Sequence, residues 1–194
     1  MRRALGVLSL LLVIPSFSAR GADFAPPTGA DVAPPMESNF FISEIRLGVL
    51  AHGVGSPERG GADLNAEILF IKPFRASGWT DVLIPRPQLG ATINFAGKTS
   101  TAYAGVAWRT NLFDTAFFSE ISFGASVNNG QLDERHNGMN PLGCHVLFRE
   151  SGSLGYDFDS HWSVMATFEH SSNANLCNKN RGLSNIGARI GYRF

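Results

Sequence analysis

His170 and Ser172 stand two residues apart near the end of the run WSVMATFEHSS, residues 162–172, and a histidine beside a serine is a pair that can open an ester. The imidazole takes the hydroxyl proton as the oxygen attacks a carbonyl carbon. On an extended strand, residues i and i+2 share a face with Cβ atoms roughly 6–7 Å apart, so rotamers can bring Oγ to a ring nitrogen. Trp162, Val164, Ala166 and Phe168 have the same parity as His170 and Ser172, whereas Ser163, Met165, Thr167, Glu169, Ser171 and Asn173 have the other. Glu169 is therefore next to His170 in sequence but turned away from it. If the shared face meets lipid, bare polar groups on it are a functional hint. At a membrane rim, however, His and Ser are also ordinary interfacial residues, and spacing alone leaves both readings open.

The elements that must carry this pair repeat a period of two. Eight runs show it: 42–52, 64–70, 88–96, 101–110, 117–127, 144–158, 162–172 and 184–194. In the first, Ile45, Leu47 and Val49 oppose Glu44, Arg46 and Gly48; in the fifth, Phe117, Ile121, Phe123 and Ala125 oppose Glu120, Ser122 and Gly124. The sixth is the least regular, because Leu147 and Glu150 each break one choice of face. No window carries a helical period, and runs of about ten residues suit tilted membrane strands. The polar faces collect Glu44, Arg46, Glu67, Arg109, Glu120, Glu169 and Arg189, joined by Arg149 if Val146 and Phe148 face outward. Balanced charges with abundant glycine fit the narrow interior of a small closed barrel.

A soluble barrel around an apolar ligand would invert this arrangement, and periodicity cannot separate the two. The final run, IGARIGYRF, closes on Tyr192 and Phe194; it resembles the last strand of bacterial outer-membrane barrels and favours lipid outside. The expected fold is all-β: an eight-stranded antiparallel up-and-down transmembrane β-barrel over residues 39–194. Loops 53–63, 97–100, 128–143 and 173–183 would face the cell exterior.

The N-terminus fits export. Two arginines, an apolar run from Ala4 to Pro15 and small residues near 18–21 read as a signal peptide over residues 1–21, too short to span a bilayer as a helix. Residues 22–38, rich in Pro, Ala and Gly, read as a flexible leader. The 194-residue chain has 16 basic and 16 acidic residues, which gives no electrostatic case for nucleic acid. Its two cysteines, Cys144 and Cys177, suit one structural disulfide in an oxidising compartment, with two unpaired thiols as the alternative. Two thiols without a His-x-His pattern make too few ligands for a metal.

The segment His170-Ser171-Ser172-Asn173-Ala174, followed by Asn180-Arg181-Gly182-Leu183 and the ending GYRF, resembles the lipid A 3-O-deacylase (PagL) family of outer-membrane barrels. The resemblance covers roughly the last 25 residues and elsewhere is one of pattern. It implies a serine esterase that removes the acyl chain at the 3-position of lipid A, needs no cofactor or metal, and meets lipopolysaccharide in the outer membrane. By it, Ser172 is the nucleophile and His170 the base, with Asn173, Asn175 and nearby backbone N–H groups stabilising the oxyanion. Asn175 stands where a small glycine is expected. The family's acidic third member falls at Ser184, in the right place but uncharged; Asn180, Asn185, Asp133 and Glu134 are substitutes the sequence does not separate. A disulfide between Cys144 and Cys177 would tie two external loops beside the site. The competing expectation is a non-enzymatic barrel, structural or adhesive, with a decayed site, and Ser184 is its main argument.

Overall fold

The computed structural model describes residues 41–134 and 138–194. The signal peptide and leader expected over 1–38 lie outside them. Eight strands form one closed antiparallel barrel: β1 (Ile42–Ala51), β2 (Ala62–Phe70), β3 (Arg86–Asn94), β4 (Thr101–Asn111), β5 (Phe117–Asn128), β6 (Val146–Asp157), β7 (Trp162–Ser172) and β8 (Leu183–Arg193). Each pairs with its neighbour in sequence, and β8 returns to β1, Leu47 facing Ile190. Closure leaves no free sheet edge.

Alternation sets the faces. Leu47, Val49, Leu64, Leu89, Ile121, Phe123, Leu154, Phe168 and Ile190 are exposed on the outer wall, while Glu44, Arg46, Glu67, Glu120, Arg149, Glu169 and Arg189 are buried in the lumen. This is the reverse of a water-soluble barrel and suits hydrocarbon outside. Lumen charges are matched. Arg46 donates to Glu44, Glu67 and Glu120, and Arg149 and Arg189 both donate to Glu169. Removing one partner of such a cluster strands buried charge, which costs about 3–5 kcal/mol. Aromatic rings cluster at the end with the short turns: Phe117 on Tyr156, Trp162 on Tyr192, Tyr192 on Phe194. Such girdles mark the hydrocarbon boundary.

Strand limits differ from expectation by about two residues. β3 starts at Arg86 because Pro87 can pair with Val106 of β4 while pairing with β2 begins only at Gln88, so its missing N–H is not needed there. In β6, Val146 and Phe148 face outward and Arg149 inward, which leaves Glu150 on the outer wall. A single 3₁₀ turn, Gly78–Leu83, sits between β2 and β3. It is too short to show a helical period, and Asp81 anchors it by accepting from Lys72 and the Ala76 N–H.

The loops after β1, β3, β5 and β7 gather at one end and interlock. Leu142, Leu147 and Leu183 form a small buried core beneath them, with Cys144 packed against it. Cys144 and Cys177 are joined in a disulfide, their Cα atoms 6.1 Å apart, linking the start of β6 to the loop after β7.

Candidate active site

β7 is the central strand of the site. On its β6 side Phe148 faces Ser172, Glu150 faces His170 and Gly152 faces Phe168; on its β8 side His170 faces Ser184. All these side chains share the outer wall. His170 and Ser172 are half-buried and line an open groove of about 330 Å³ together with Phe123, Phe148, Glu150 and Ala174. The ring of Phe123 stacks on Phe148, centroids 6.2 Å apart, to form one wall.

His170 Nδ1 lies 2.8 Å from Ser184 Oγ. With Nδ1–H donating to that hydroxyl, Nε2 keeps the lone pair a base needs. Gly182 lies against the other side of the ring: a Cβ there would meet His170 Cε1 at 2.9 Å and Nε2 at 3.3 Å. Among the described residues Ser172 makes no hydrogen bond to the imidazole. Nucleophile–base contacts of this kind are commonly loose without substrate and tighten in the complex.

Ser184 and Gly182 are held by the loops. Val54 N–H donates to the Ser184 carbonyl at 2.7 Å, and Gly53 N–H to Asn185 Oδ1 at 2.9 Å. Asn140 donates through Nδ2 to the Gly182 carbonyl, and its own N–H donates to Glu58. Glu58 in turn receives the Thr99 N–H and faces His52, whose Nδ1 lies 2.8 Å from Asp63. Burial opposes charge on His52, but the hydrogen bond to Asp63 and the Glu58 carboxylate 3.3 Å from its Nε2 outweigh it and push its pKa up to about 9. Burial likewise works against the charge on Glu58, and the nearby His52 ring with the N–H groups of Thr99 and Asn140 prevails and holds its carboxyl below the ordinary value. Three loops thus share one ionic cluster that fixes the neighbours of His170.

The oxyanion expectation for Asn173 needs correction. Its side chain points inward and donates to the carbonyls of Leu142 and Lys179, while its N–H donates to Asn180 Oδ1. All its donors are spent on clamping loops, as its inward parity and two facing carbonyls dictate. Asn175 accepts from Asn180 through Oδ1. Ala174 and Asn175 are in the left-handed region, φ 51° and 64°, and among the described residues their N–H groups have no acceptor. These two backbone donors follow Ser172 by two and three residues, and Ala174 lines the groove.

Of the substitutes for a third member, Asn180 and Asn185 are committed elsewhere, Asn185 to Glu169 in the lumen. Glu134 pairs with Lys179, and Asp133 is half-buried beside it. Glu169 faces the lumen. The residue that sequence reasoning passed over is Glu150, a carboxylate on the outer wall opposite His170. Its signal was the irregularity of the sixth run.

A second hollow of about 450 Å³ continues the groove along β6, lined by Ile121, Phe123, Glu150, Gly152 and Phe168. Gly152 leaves its floor open, since a Cβ there would meet nothing within 4 Å. A larger apolar hollow, about 710 Å³, lies at the opposite end of the same strands around Phe113, Leu154 and Val164.

The sequence profile of the lipid A 3-O-deacylase (PagL) family matches residues 75–193, more than half of the chain. The chain belongs to the PagL family. Its fold is similar to the crystal structure of the outer membrane enzyme PagL, with TM-score 0.58 at 16% identity, over 78% of this chain and 100% of that one. The N-terminal barrel domain of Pseudomonas aeruginosa OprF aligns with TM-score 0.53 at 11% identity, over 79% of this chain and 98% of that domain. Neisserial surface protein A follows at 0.51 and 9%, over 78% and 96%. At such identities these likenesses speak to fold alone. No curated protein sequence matches the chain. Membership of the PagL family, with an outer wall this apolar, makes the protein a bacterial outer-membrane barrel.

Proposed function

We propose that this protein is a serine esterase that releases the ester-linked acyl chain at the 3-position of lipid A in the outer leaflet of the outer membrane. The observation that carries the proposal is the shared groove on the outer wall. It holds His170, with Nδ1 bound by Ser184, and Ser172 in the same opening. The substrate need not leave the membrane to meet it.

In this mechanism His170 Nε2 takes the Ser172 proton as Oγ attacks the ester carbonyl carbon. The N–H groups of Ala174 and Asn175 receive the oxyanion, each worth about 10²–10³ in rate if aimed at it. The tetrahedral species expels the sugar oxygen, which takes the proton from His170, and leaves an acyl-Ser172 ester. Water from the external side, deprotonated by His170, attacks that ester and frees the fatty acid and the serine. The apolar hollow running down β6 from His170 takes the acyl chain.

The test is the mass of lipid A from cells displaying the protein. Expression of the unaltered chain should remove one ester-linked acyl chain, and Ser172→Ala should abolish that loss. The same loss with Ser172→Ala would refute the nucleophile. A non-enzymatic barrel with a decayed site is favoured by one observation, the neutral Ser184 beside His170, and predicts unchanged lipid A in both cells.

A further inference from the structure

The histidine of a serine esterase becomes a cation in each half of its cycle, and a nearby carboxylate is what steadies it. On the β8 side His170 meets only the neutral Ser184. On the β6 side the residue registered opposite it is Glu150. Directly opposed residues on one face of an antiparallel pair have Cβ atoms roughly 4.5–5.5 Å apart. Glu150 is exposed on the outer wall, lines the groove with His170 and Ser172, and among the described residues has neither an ion pair nor a hydrogen bond. Its neighbour on β5 is Phe123, which offers it no partner. A carboxylate on a lipid-facing wall is disfavoured and calls for a use.

We propose that Glu150 supplies the negative charge that stabilises the protonated His170, the part that Ser184 cannot take from the opposite side. This rests on the esterase reading above. Glu150 acts through His170 and is a positioning and charge-supplying residue rather than a catalytic one. It works across the strand pair rather than through a direct hydrogen bond, and the low-dielectric surroundings extend its reach. The other charged groups around His170 are occupied or turned away. Arg149, Glu169 and Arg189 face the lumen and pair with one another. Lys179, in the loop above, pairs with Glu134. Arg181, exposed in the same loop, lines a separate hollow with Pro57, Glu134 and Lys179, and His145 at the head of β6 is turned to the Asn128 carbonyl.

The test measures acyl release from lipid A in detergent micelles against pH, for the full-length protein and for Glu150→Gln, Ser184→Glu, the double variant and Ser172→Ala. Retention of the heat-modifiable folded form checks each barrel; Glu150→Gln removes a charge from the lipid face and should insert at least as well. Without the carboxylate the imidazolium is less favoured. Glu150→Gln should therefore lower kcat tenfold or more and move the acid limb of the pH profile to lower pH. Adding Ser184→Glu to that variant restores a carboxylate from the β8 side, and should recover most of kcat and return the limb toward higher pH. Unchanged kcat and acid limb in Glu150→Gln, with Ser172→Ala inactive, would overturn the role of Glu150 alone. So would a loss of rate that Ser184→Glu does not rescue and that leaves the limb in place. Full acyl release by Ser172→Ala would instead overturn the esterase reading beneath it.

Discussion

Gly182 is the backrest of His170: a Cβ on Gly182 would come within 2.9 Å of the imidazole Cε1 and 3.2 Å of the Ser171 carbonyl. Its φ of +69° lies in the left-handed region, so the loop after β7 can turn into β8 only with a residue that tolerates it. The turn that carries Ser184 to Nδ1 and the close approach that holds the ring are thus met by one glycine.

Gly182→Ala should therefore cost more in rate than in stability. A left-handed alanine costs about 1–2 kcal/mol, while displacing a catalytic ring by about 1 Å lowers rate roughly 10²-fold. Acyl release should fall about a hundredfold while the folded barrel survives in gel-shift assays. Activity within twofold of the unaltered protein would mean the ring is held by other contacts.

Legibility followed the alternation. Parity alone turned His170, Ser172 and Ser184 to one wall and Glu169 to the lumen, and strand pairing placed them so. A period of two survives wherever one face is apolar and the other lines a packed interior. Glu150 was visible only as a flaw in β6, because its meaning depends on β7 lying beside it in one particular register. The loop cluster was not legible. His52, Glu58 and Asn140 come from segments 40 or more residues apart in part, and no local pattern announces that Asn140 bridges Glu58 and Gly182. Asn173 shows the converse limit. The family resemblance implied an oxyanion donor there, but its inward parity gave it to the Leu142 and Lys179 carbonyls. The whole-family match over residues 75–193 reaches well beyond the motif in β7 and β8 that carries the resemblance by eye.

The open floor at Gly152 sets a second prediction. Gly152→Phe would place a ring between Ile121 and Phe168, in the hollow of about 450 Å³ beneath His170. Strand propensity favours the exchange, so the barrel should fold. If the acyl chain runs along β6, losing contact with about two methylenes, each worth about 0.8 kcal/mol, should lower kcat/KM roughly tenfold for long chains. Short-chain esters should be spared. Equal losses for short and long chains, measured with a series of ester lengths, would place the chain elsewhere on the wall.

The loop cluster makes stability depend on alkaline pH. His52, held near pKa 9 by Asp63 and Glu58, sits well above the ordinary histidine value of 6.5. Its contribution is therefore full below about pH 6.5 and is lost as pH rises through about 9. Glu58 has the opposite sign: its lowered pKa gives stability above the ordinary value of 4.5 that is lost as pH falls through the folded value. His52→Gln keeps a hydrogen-bonding side chain but cannot carry the charge. The melting temperature of the unaltered barrel should exceed that of His52→Gln at pH 6.5, and the gap should close by pH 10. Because Val54 and Gly53 hold Ser184 and Asn185 from the same loop, acyl release should decline over the same alkaline range in the unaltered protein and stay flat in the variant. A gap in melting temperature that is as wide at pH 10 as at pH 6.5 would show that His52 is neutral in the folded barrel.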